Sequence, residues 1–432
     1  MKYYKCFSLG CKVNTYEIQA VCQILNENGY QESKDEQCDL IVINTCAVTL
    51  TSESKSRQKI RSLRSKYPNA ILFVMGCYSQ LHSEEVSSIE GVDIIIGTSK
   101  RNNIISLLEE FKRTKTQIVD VEKNNRNQKY ECLNISSYNE NTRAFLKIQD
   151  GCNNFCSYCV IPYVRGNIRS RSKEDIISEV DRLVENGYQE IVLTGIDMAS
   201  YGEDLNNETS FNDLIRSILE HNNELKRLRI SSLEASLIDD EFISLLNDFP
   251  QIARHLHIPL QSGSKEVLKR MNRKYTKEQF LENLTKIRNA IPEIALACDV
   301  IVGFPGETEE EFEETYSFIK ECGFNYLHVF PYSIRPGTVA AKMKNQVNPQ
   351  VKKERVSKLI ELGNNLKEEY ESKFVGREVD VIVETYNPKT NLFKGYSSNY
   401  LEVKVASKVN LKNKMVLVKY KSEGLSEIIN IK

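Results

Sequence analysis

Three cysteines stand at a spacing that is typical of metal-cluster chemistry. Cys152, Cys156 and Cys159 form a C-x3-C-x2-C run within residues 151–159. Three thiolates in one loop suit a 4Fe-4S cluster, and the absence of a fourth cysteine leaves one iron open to a non-protein ligand. The alternatives are a zinc site and cysteines that meet by chance. No His or Cys follows Cys159 within the next thirty residues, which disfavours zinc.

A second set of cysteines is dispersed along the chain. Cys11, Cys46 and Cys77 each come directly after a segment with the pattern of a buried parallel strand. The carboxyl ends of parallel strands converge on one crevice, so these three thiols are candidates for one shared site and a second cluster. Free cysteines are also commonly buried in protein cores. The residues alone leave both interpretations open.

The chain contains 12 cysteines, and their chemistry depends on whether the protein resides in a reducing or an oxidising cellular compartment. The N-terminus has no apolar signal region, and the apolar runs at 70–75 and 94–96 are far shorter than the ~20 residues that span a bilayer. We therefore expect a cytoplasmic protein without a membrane partner. Thiols stay reduced there, which favours metal or redox chemistry over disulfides.

The elements that must position the dispersed cysteines alternate along the first 122 residues. Apolar strand patterns are followed by amphipathic helix patterns, which predicts a small parallel α/β domain. The predicted strands are 3–9, 40–44, 70–75 and 92–96, and the helices are 15–28, 52–66 and 101–112. Residues 123–140 are polar and lack periodicity, so they are predicted to be a linker.

The same alternation resumes over residues 141–372 and carries the clustered cysteines after its first strand. The predicted strands are 144–148, 190–193, 228–231, 255–259, 296–302 and 326–330. The predicted helices are 173–185, 211–220, 239–246, 277–289 and 309–321, with a bridging helix at 349–374. A complete barrel has eight such units, so six predict an open partial (β/α) barrel.

The last segment, 373–432, has a different pattern and a different charge. Short strand patterns at 378–384, 393–395, 400–405 and 415–420 predict a small β-barrel. The segment holds eleven Lys and Arg against six Asp and Glu, whereas the whole chain has a net charge of −1. This basic tail is a candidate contact for a polyanion, and its aromatics are interpreted as core or as stacking residues. They are Tyr386, Phe393, Tyr396 and Tyr400.

Two further groups have functional and structural interpretations. His255 and His257 alternate along a strand and point to one face, where we expect them to line a polar pocket or to be satisfied structurally. Arg165, Arg169 and Arg171 follow the cysteine loop. They are predicted to meet a cofactor carboxylate, an RNA phosphate or solvent.

The cysteine run and its continuation through Arg171 resemble the radical S-adenosylmethionine methylthiotransferase family. In that family the three clustered cysteines hold a 4Fe-4S cluster. Its open iron chelates S-adenosylmethionine, which is cleaved to a 5′-deoxyadenosyl radical. The resemblance also implies that Cys11, Cys46 and Cys77 hold a second, auxiliary 4Fe-4S cluster. The tail resembles the TRAM domain, a small RNA-binding β-barrel.

The resemblance implies a binding site for S-adenosylmethionine at the strand ends of the partial barrel. The methionyl part is expected near Thr194, Gly195 and Asp197. The ribose and adenine parts are expected near these residues: Ser231, Glu234, Asp299, Ile301 and Gly303. An alternative for Gly303 is that it merely makes the tight turn after a strand.

The motif around Cys11 bears on the substrate that the resemblance implies. Cys11-Lys12-Val13-Asn14-Thr15-Tyr16-Glu17, together with residues 193–197 and 231–234, looks most like the branch that methylthiolates C2 of N6-threonylcarbamoyladenosine at position 37 of tRNA. Isopentenyladenosine enzymes typically have Gly-Cys-Gln-Met-Asn there, and ribosomal-protein enzymes have Gly-Cys-Pro-Lys-Asn. In the family, one S-adenosylmethionine methylates sulfur at the auxiliary cluster and a second yields the radical.

The implied partners are tRNA carrying threonylcarbamoyladenosine, an electron donor such as flavodoxin or ferredoxin, and a sulfur donor. The alternatives are methylthiolation of isopentenyladenosine tRNA or of a ribosomal-protein side chain. A different class is an RNA-binding or redox-sensing protein whose clusters are structural. The chain contains no Gly-x4-Gly-Lys-[Ser/Thr] loop and no His-Glu-x2-His motif, so neither nucleotide hydrolysis nor zinc proteolysis has motif support.

Overall fold

The computed structural model describes residues 2–35, 37–123, 128–135, 142–205 and 209–431. Much of the predicted linker at 123–140 lies outside these residues. The described residues pack into two compact units, and the first is drawn from 1–139, 149–171 and 333–338. The second unit is drawn from 140–148, 172–332 and 339–432. No described helix is both long enough and apolar enough to cross a membrane.

The first unit contains a six-stranded, all-parallel sheet. Its strands are β1 (Lys2–Ser8), β2 (Tyr30–Glu32), β3 (Leu40–Thr45), β4 (Ile71–Gly76), β5 (Ile94–Ile96) and β6 (Ile118–Asp120), in the order β2-β1-β3-β4-β5-β6. Its helices are α1 (Lys12–Glu27), α2 (Leu50–Lys66), α3 (Cys77–Leu81), α4 (Ser83–Ser87) and α5 (Ile104–Thr114). The predicted α/β domain is therefore present, and the short strands β2 and β6 are additional.

The central strands explain why this part of the chain is so apolar. Every residue of β3 is buried, as is expected of a parallel strand covered on both faces. Hydrophobic clusters lie on either side of the sheet, one around Ile43 and Val74 and the other around Val42 and Phe73. These alternating side chains place helices on both faces and leave the strand ends to carry the cysteines.

The loop with the clustered cysteines belongs to this first unit. It is bounded by β8 (Gln149–Asp150) and β9 (Arg169–Ser170), which pair antiparallel, and it contains the short helix α6 (Ile161–Arg165). Val160 and Val164 are buried in the same hydrophobic cluster as Ile43. The loop is thus part of the core of the first unit, although the sequence places it after a strand of the barrel.

The second unit begins with six parallel strands. They are β7 (Arg143–Lys147), β10 (Glu190–Thr194), β11 (Arg227–Ile230), β12 (His255–His257), β13 (Ala295–Val302) and β14 (Tyr326–Pro331). They form two three-stranded sheets, β7-β10-β11 and β12-β13-β14. Parallel bridges from Leu228 to Ile252 and from Ser232 to His257 connect the two sheets. The six strands therefore follow the order expected of the open partial barrel.

Apart from a short helix at 265–270, which the sequence did not predict, the helices described in this unit lie close to their predicted bounds. They are α7 (Lys173–Glu185), α8 (Phe211–His221), α9 (Asp240–Asp248), α10 (Lys265–Arg270), α11 (Lys277–Ala290), α12 (Glu309–Cys322) and α13 (Pro349–Ser372). Ser210, Thr276 and Thr308 begin α8, α11 and α12 with reciprocal capping boxes. Such caps satisfy backbone N–H groups that have no partner within the helix, so they mark the boundaries locally.

The C-terminal part of the second unit is an antiparallel sheet. Its strands are β15 (Glu378–Asn387), β16 (Leu392–Ser397), β17 (Glu402–Val405), β18 (Met415–Lys419) and β19 (Glu427–Ile431), in the order β17-β16-β15-β18-β19. The Ser426 N–H, next to β19, donates to Lys404 O on the opposite edge strand at 2.9 Å. This bond draws the two edges together, consistent with the predicted small β domain, and β19 is an additional strand.

The aromatic residues of this sheet divide between core and surface. Tyr386 is exposed, whereas Phe393 is buried in the sheet's own core. Tyr400 stacks on Tyr396 at 4.9 Å and on His255 of the partial barrel at 4.4 Å. The base-stacking interpretation is therefore wrong for Phe393. Tyr400 packs within the second unit, which also gives His255 a structural partner.

Candidate active site

The dispersed cysteines lie just beyond the ends of three neighbouring strands of the first unit. Cys11 follows β1, Cys46 follows β3 directly, and Cys77 follows β4 directly. These strands are adjacent in the order β1-β3-β4, so the three cysteines share one edge of the sheet. Cys46 and Cys77 are buried and Cys11 is exposed. The structure thus brings together the set that the sequence predicted.

Two glycines make this approach possible. Gly10 and Gly76 precede Cys11 and Cys77 and have φ angles of 102° and 107°. A Cβ at Gly10 would lie 2.8 Å from Cys46 Sγ, and one at Gly76 would lie 2.6 Å from Thr45 O. No side chain fits at either position, because backbone and thiol already occupy the space. The glycines therefore allow the strand ends to close around the cysteines.

The three thiols are close enough to affect one another's pKa. Burial raises the pKa of the Cys46 and Cys77 thiols, and the cation of Arg165 acts to lower the pKa of all three thiols. The neighbouring thiols raise these pKa values further, Cys46 acting on Cys11, Cys77 on Cys46 and Cys11 on Cys77. Arg165 is thus the cation that favours thiolates at this edge of the sheet.

Arg165 is held by a buried set of polar side chains. Its guanidinium donates to Glu17 Oε1 at 2.8 Å, to Asp150 Oδ1 at 3.1 Å and to Asn14 Oδ1 at 2.9 Å. Arg101 also pairs with Glu17 at 2.8 Å. All five side chains are at least 95% buried. Opposite charges and hydrogen bonds offset the desolvation of this cluster.

The three arginines after the cysteine loop are therefore not a solvated basic surface. Arg165 and Arg169 both pair with Asp150, at 3.1 and 3.5 Å. Arg171 donates to Asn134 Oδ1 at 2.9 Å. All three residues are buried, so the solvent and RNA-phosphate interpretations are wrong. The internal carboxylates explain the difference, since a buried guanidinium needs a paired anion.

The loop of Cys152, Cys156 and Cys159 is shaped by backbone hydrogen bonds. The Asn154 N–H donates to Cys152 Sγ, and the Ile161 N–H donates to Cys159 Sγ, both at 3.4 Å. Gly151 precedes the first cysteine with a φ of 75°, where a Cβ would collide with Asn167 O. N–H groups directed at sulfur stabilise thiolates and tune iron–sulfur clusters.

These donor sets fit iron–sulfur clusters rather than a single ion. Each set consists of three thiols with no imidazole or carboxylate, which is the soft donor set that clusters prefer. Among the described residues, no group of three His, Cys, Asp or Glu side chains is drawn tightly enough to hold one metal ion.

The residues predicted to bind S-adenosylmethionine lie in the second unit, at the carboxyl ends of its strands. Thr194 ends β10, and Gly195 and Asp197 follow it. Asp197 Oδ2 accepts from Ser200 Oγ at 3.1 Å, which fixes the carboxylate next to the strand end. The Ser231 N–H, just after β11, donates to Leu193 O at 3.1 Å. This contact brings the ends of β10 and β11 together.

The remaining predicted ligands have partners that the sequence did not reveal. Arg273 donates to both oxygens of Glu234, at 2.8 and 2.6 Å. His257 pairs with Asp299 at 3.0 Å. Asp299 and Ile301 alternate along β13 and share one face of the strand. At one end of the partial barrel, two of the predicted positions therefore have charged partners, and two lie on the same face of a strand.

The backbone of Gly303 supports the interpretation that this glycine makes the tight turn after a strand. It has a φ of 69°, and its N–H donates to Glu307 Oε2 at 2.6 Å. Glu307 is buried and pairs with Arg355 at 2.6 Å. A Cβ at this position would collide with the side chain of Lys352. Glycine is therefore required by the turn itself, whatever the turn also contacts.

Comparison with known proteins places this geometry in a family. Residues 146–319 match the radical SAM superfamily, and residues 3–97 match the uncharacterized protein family UPF0004. The threonylcarbamoyladenosine tRNA methylthiotransferase MtaB of Bacillus subtilis (strain 168) is 46% identical over 421 residues, which cover 96% of this chain and 93% of that protein. This chain belongs to the radical SAM methylthiotransferase family. It is thus an enzyme that uses an iron–sulfur cluster and S-adenosylmethionine.

Methylthiotransferases that are named for a different nucleoside have a lower identity to this chain, although two of them cover 97% and 100% of it. The tRNA-2-methylthio-N(6)-dimethylallyladenosine synthase of Thermoanaerobacter sp. (strain X514) is 38% identical over 390 residues, covering 88% of this chain and 82% of that protein. A solved radical S-adenosylmethionine methyltransferase, TsrM from Kitasatospora setae, superposes with a TM-score of 0.60 and 14% identity, over 79% and 77% of the two chains. At that identity the likeness extends to the fold alone.

Two charged residues that contact the candidate site residues were not identified as such in the sequence analysis. Glu17 lies in the amphipathic α1, where its burial marks a charged residue on the inward face of a helix. Arg273 lies 39 residues from its partner Glu234. An acidic residue at an apolar helical position is a usable signal for the first. No local signal marks the second.

Proposed function

We propose that this methylthiotransferase converts N6-threonylcarbamoyladenosine at position 37 of tRNA to its 2-methylthio derivative. The observation that carries the proposal is that one compact unit contains both three-cysteine sets. The choice of nucleoside is supported by the Bacillus subtilis relative, which is named for it and is 46% identical to this chain, against 38%, 37% and 35% for three dimethylallyladenosine synthases. The motif around Cys11 supports the same branch.

The proposal assigns two 4Fe-4S clusters to the chain. Cys152, Cys156 and Cys159 would hold the cluster that binds S-adenosylmethionine, and Cys11, Cys46 and Cys77 would hold the auxiliary cluster. When bound, these groups supply a carbon-centred radical that removes hydrogen from an unactivated C–H bond, together with the sulfur and methyl that replace it.

The chain's own residues bind, orient and balance charge. Glu234 and Asp299 present carboxylates for ribose hydroxyls, and Arg273 and His257 hold these carboxylates in place. Thr194, Gly195 and Asp197 present backbone and carboxylate groups for the methionyl part. Ser231, Ile301 and Gly303 complete the proposed binding surface. Arg165 supplies positive charge to the auxiliary thiols.

The proposed organisation follows the predicted boundaries. Residues 1–122 form the auxiliary-cluster domain, 123–140 a linker, 141–372 the radical domain and 373–432 the TRAM domain that binds RNA. The partners are tRNA, an electron donor such as flavodoxin or ferredoxin and a sulfur donor, in the cytoplasm. The exposed lysines of the last segment support the RNA contact, because they leave cations available for phosphate. They include Lys408, Lys412, Lys414, Lys419 and Lys421.

Iron content tests the number of clusters. Anaerobic wild type is expected to hold about eight irons, and the variants C152A/C156A/C159A and C11A/C46A/C77A about four each. Total loss of iron in the first variant, with about four irons in wild type, would contradict an auxiliary cluster.

Mass analysis of tRNA nucleosides tests the substrate. Cells that lack the gene are expected to lose 2-methylthio-N6-threonylcarbamoyladenosine, and the wild-type gene is expected to restore it, whereas C152A/C156A/C159A is not. The dimethylallyladenosine synthases among the relatives support a second candidate, which a methylthio product on isopentenyladenosine would establish. Unchanged tRNA together with no cleavage of S-adenosylmethionine would instead favour an RNA-binding or redox-sensing protein.

A further inference from the structure

Helix α2 is the most basic helix of the first unit. It begins four residues after Cys46 and carries six lysine and arginine residues against one carboxylate, Glu53. The six are Lys55, Arg57, Lys59, Arg61, Arg64 and Lys66. Because the whole chain has a net charge of −1, this concentration of cations is not a property of the composition. It is a local feature of one helix.

The single carboxylate does not offset this charge at the surface. Glu53 is only 5% exposed and accepts from Arg335 at 2.6 Å and from His82 at 3.1 Å. Arg335 is itself buried. The negative charge of Glu53 is therefore balanced by buried partners within the first unit. The exposed side of α2 remains cationic.

Several of the six cations already contact neighbouring groups, among them Lys66, whose ammonium lies 5.5 Å from the centre of the Tyr67 ring. Arg64 pairs with Asp93 at 2.8 Å, and Arg57 pairs with Glu85 at 3.4 Å. Over the ranges that the structure describes, Lys55, Lys59 and Arg61 have no carboxylate within 4.0 Å. The ammonium of Lys59 lies 4.5 Å from the centre of the Phe7 ring, so its charge already contacts the protein. Lys55 and Arg61 are exposed and available to a partner.

The uncharged exposed residues of α2 also indicate which class of molecule could bind this surface. From Thr51 onward, every exposed residue of α2 carries a hydroxyl, an amide or a cation. They are Thr51, Ser54, Lys55, Gln58, Arg61, Ser62, Ser65 and Lys66. These are the side chains that donate hydrogen bonds to nucleic-acid phosphates. Leu50, at the first position of α2, is exposed, but the surface from Thr51 onward has no aromatic or aliphatic residue of the kind that forms the centre of a stable protein interface.

We propose that these eight residues, the basic face of α2, bind the phosphate backbone of the RNA substrate. The inference rests on the proposed function only in requiring an RNA substrate, and it is independent of which nucleoside is modified. It adds a phosphate contact in the first unit to the one expected of the C-terminal sheet. Phosphates attract such a face without reading sequence, so it contributes affinity and leaves the choice of base to other contacts.

The test measures RNA binding by the full-length, cluster-loaded enzyme without S-adenosylmethionine. The probe is an unmodified tRNA transcript, and the variant is K55Q/R61Q, which removes both charges and keeps polar side chains of similar helix propensity. Each lost phosphate contact lowers the slope of log K against log salt by about 0.7 to 0.9. We expect the slope to fall by about 1.4 to 1.8 and binding to weaken by about 25- to 60-fold at 0.1 M salt.

A matched control removes two exposed lysines that already have carboxylate partners. Lys286 pairs with Glu282 at 3.0 Å, and Lys358 pairs with Glu309 and Glu313 at 3.4 Å. The variant K286Q/K358Q is expected to bind RNA as wild type does. The charge reversal K55E/R61E, checked for an unchanged melting temperature, is expected to weaken binding more than K55Q/R61Q.

Equal RNA affinity and salt slope in wild type, K55Q/R61Q and K55E/R61E would overturn the inference. Slower reduction by flavodoxin with unchanged RNA binding would also overturn it, since the partner would then be an acidic protein. Because the transcript lacks threonylcarbamoyladenosine and no turnover occurs, a wrong nucleoside assignment does not alter these outcomes. The two hypotheses therefore fail separately.

Discussion

The guanidinium of Arg165 lies 2.8 Å from Glu17 Oε1, and both side chains are fully buried. Arg165 ends the helix after the clustered cysteines, whereas Glu17 lies on the helix after Cys11. The pair therefore joins the segments that carry the two cysteine sets. It also places one positive and one negative charge beside the auxiliary thiols.

We expect opposite changes of reduction potential when either charge of this pair is removed. Reduction adds negative charge to a cluster, so R165M should lower the midpoint potential of the auxiliary cluster and E17Q should raise it. The potentials are measured by electron paramagnetic resonance titration in the C152A/C156A/C159A background. R165K, which retains the charge, should give the smaller shift of the two Arg165 variants.

A second arginine with a similar ion pair provides the control. It distinguishes the loss of a charge from a general disruption of the fold. Arg64 pairs with Asp93 at 2.8 Å in the same unit, and R64M should leave the potential unchanged. A shift of the same sign in R165M and E17Q would contradict the electrostatic role and indicate that the pair only maintains the fold.

Glu190 in the partial barrel should make the protein sensitive to acid. Although burial alone raises the pKa of this carboxyl, Arg229 and Arg227 lower it to about 2. The folded value lies below the ordinary 4.5, so the stabilisation is present above about pH 4.5 and is lost as the pH falls toward 2. The melting temperature should therefore fall through this window.

The variant E190Q should lose this acid dependence and be less stable at pH 7. It leaves two buried arginines without their anion, which costs about 3–5 kcal/mol. Glu224 is exposed, so E224Q should change the free energy of unfolding by less than about 0.5 kcal/mol. Denaturant unfolding at pH 7 and pH 3 measures both. Equal acid sensitivity in wild type and E190Q would assign the effect to other carboxylates.

Gly76 should be required for the auxiliary site because of its backbone as well as its space. Its φ of 107° and ψ of −162° lie in a region that is almost exclusive to glycine, and side chains there cost about 1–3 kcal/mol. A Cβ would also collide with the Thr45 backbone. We expect G76A to lose the auxiliary irons, as measured by iron content.

Gly29 provides the comparison for this variant. Its φ is 79°, yet no atom lies within 4 Å of a Cβ placed there. G29A should therefore cost only about 1 kcal/mol of backbone strain and retain its full iron content. Loss of iron in both variants would show that backbone strain, rather than crowding at the cysteines, is responsible.

Arg273 should determine the affinity for S-adenosylmethionine through Glu234. Its two hydrogen bonds fix the carboxylate that we assign to the ribose, and losing a bond to a charged group costs about 1.5–3 kcal/mol. We expect R273M to raise the Kd for S-adenosylmethionine by about tenfold, as measured by anaerobic equilibrium dialysis.

A neighbouring arginine serves as the control for this effect. Arg270 makes a similar pair with Glu311, at 2.9 and 2.7 Å, but Glu311 is outside the proposed site. R270M should bind S-adenosylmethionine as wild type does. An equal loss of affinity in R270M and R273M would mean that either substitution disturbs the barrel generally.

The sequence by itself determined the features that depend on neighbouring residues. Cys152, Cys156 and Cys159 lie within one loop, so their spacing alone indicates a shared ligand set. The helix that begins after Ser172 has the predicted bounds, because its amphipathic period and its cap are both local signals. Repeated strand and helix patterns likewise predicted the partial barrel and the parallel sheet.

Only the tertiary structure decided which distant groups share an environment. Arg165 and Glu17 are separated by 148 positions, and Arg335 and Glu53 by 282. No helical or strand period links residues so far apart, so the burial of the arginines and the isolation of the cations on α2 follow from packing. The same holds for Cys11, Cys46 and Cys77, since each follows a strand in sequence but only the strand order makes them neighbours.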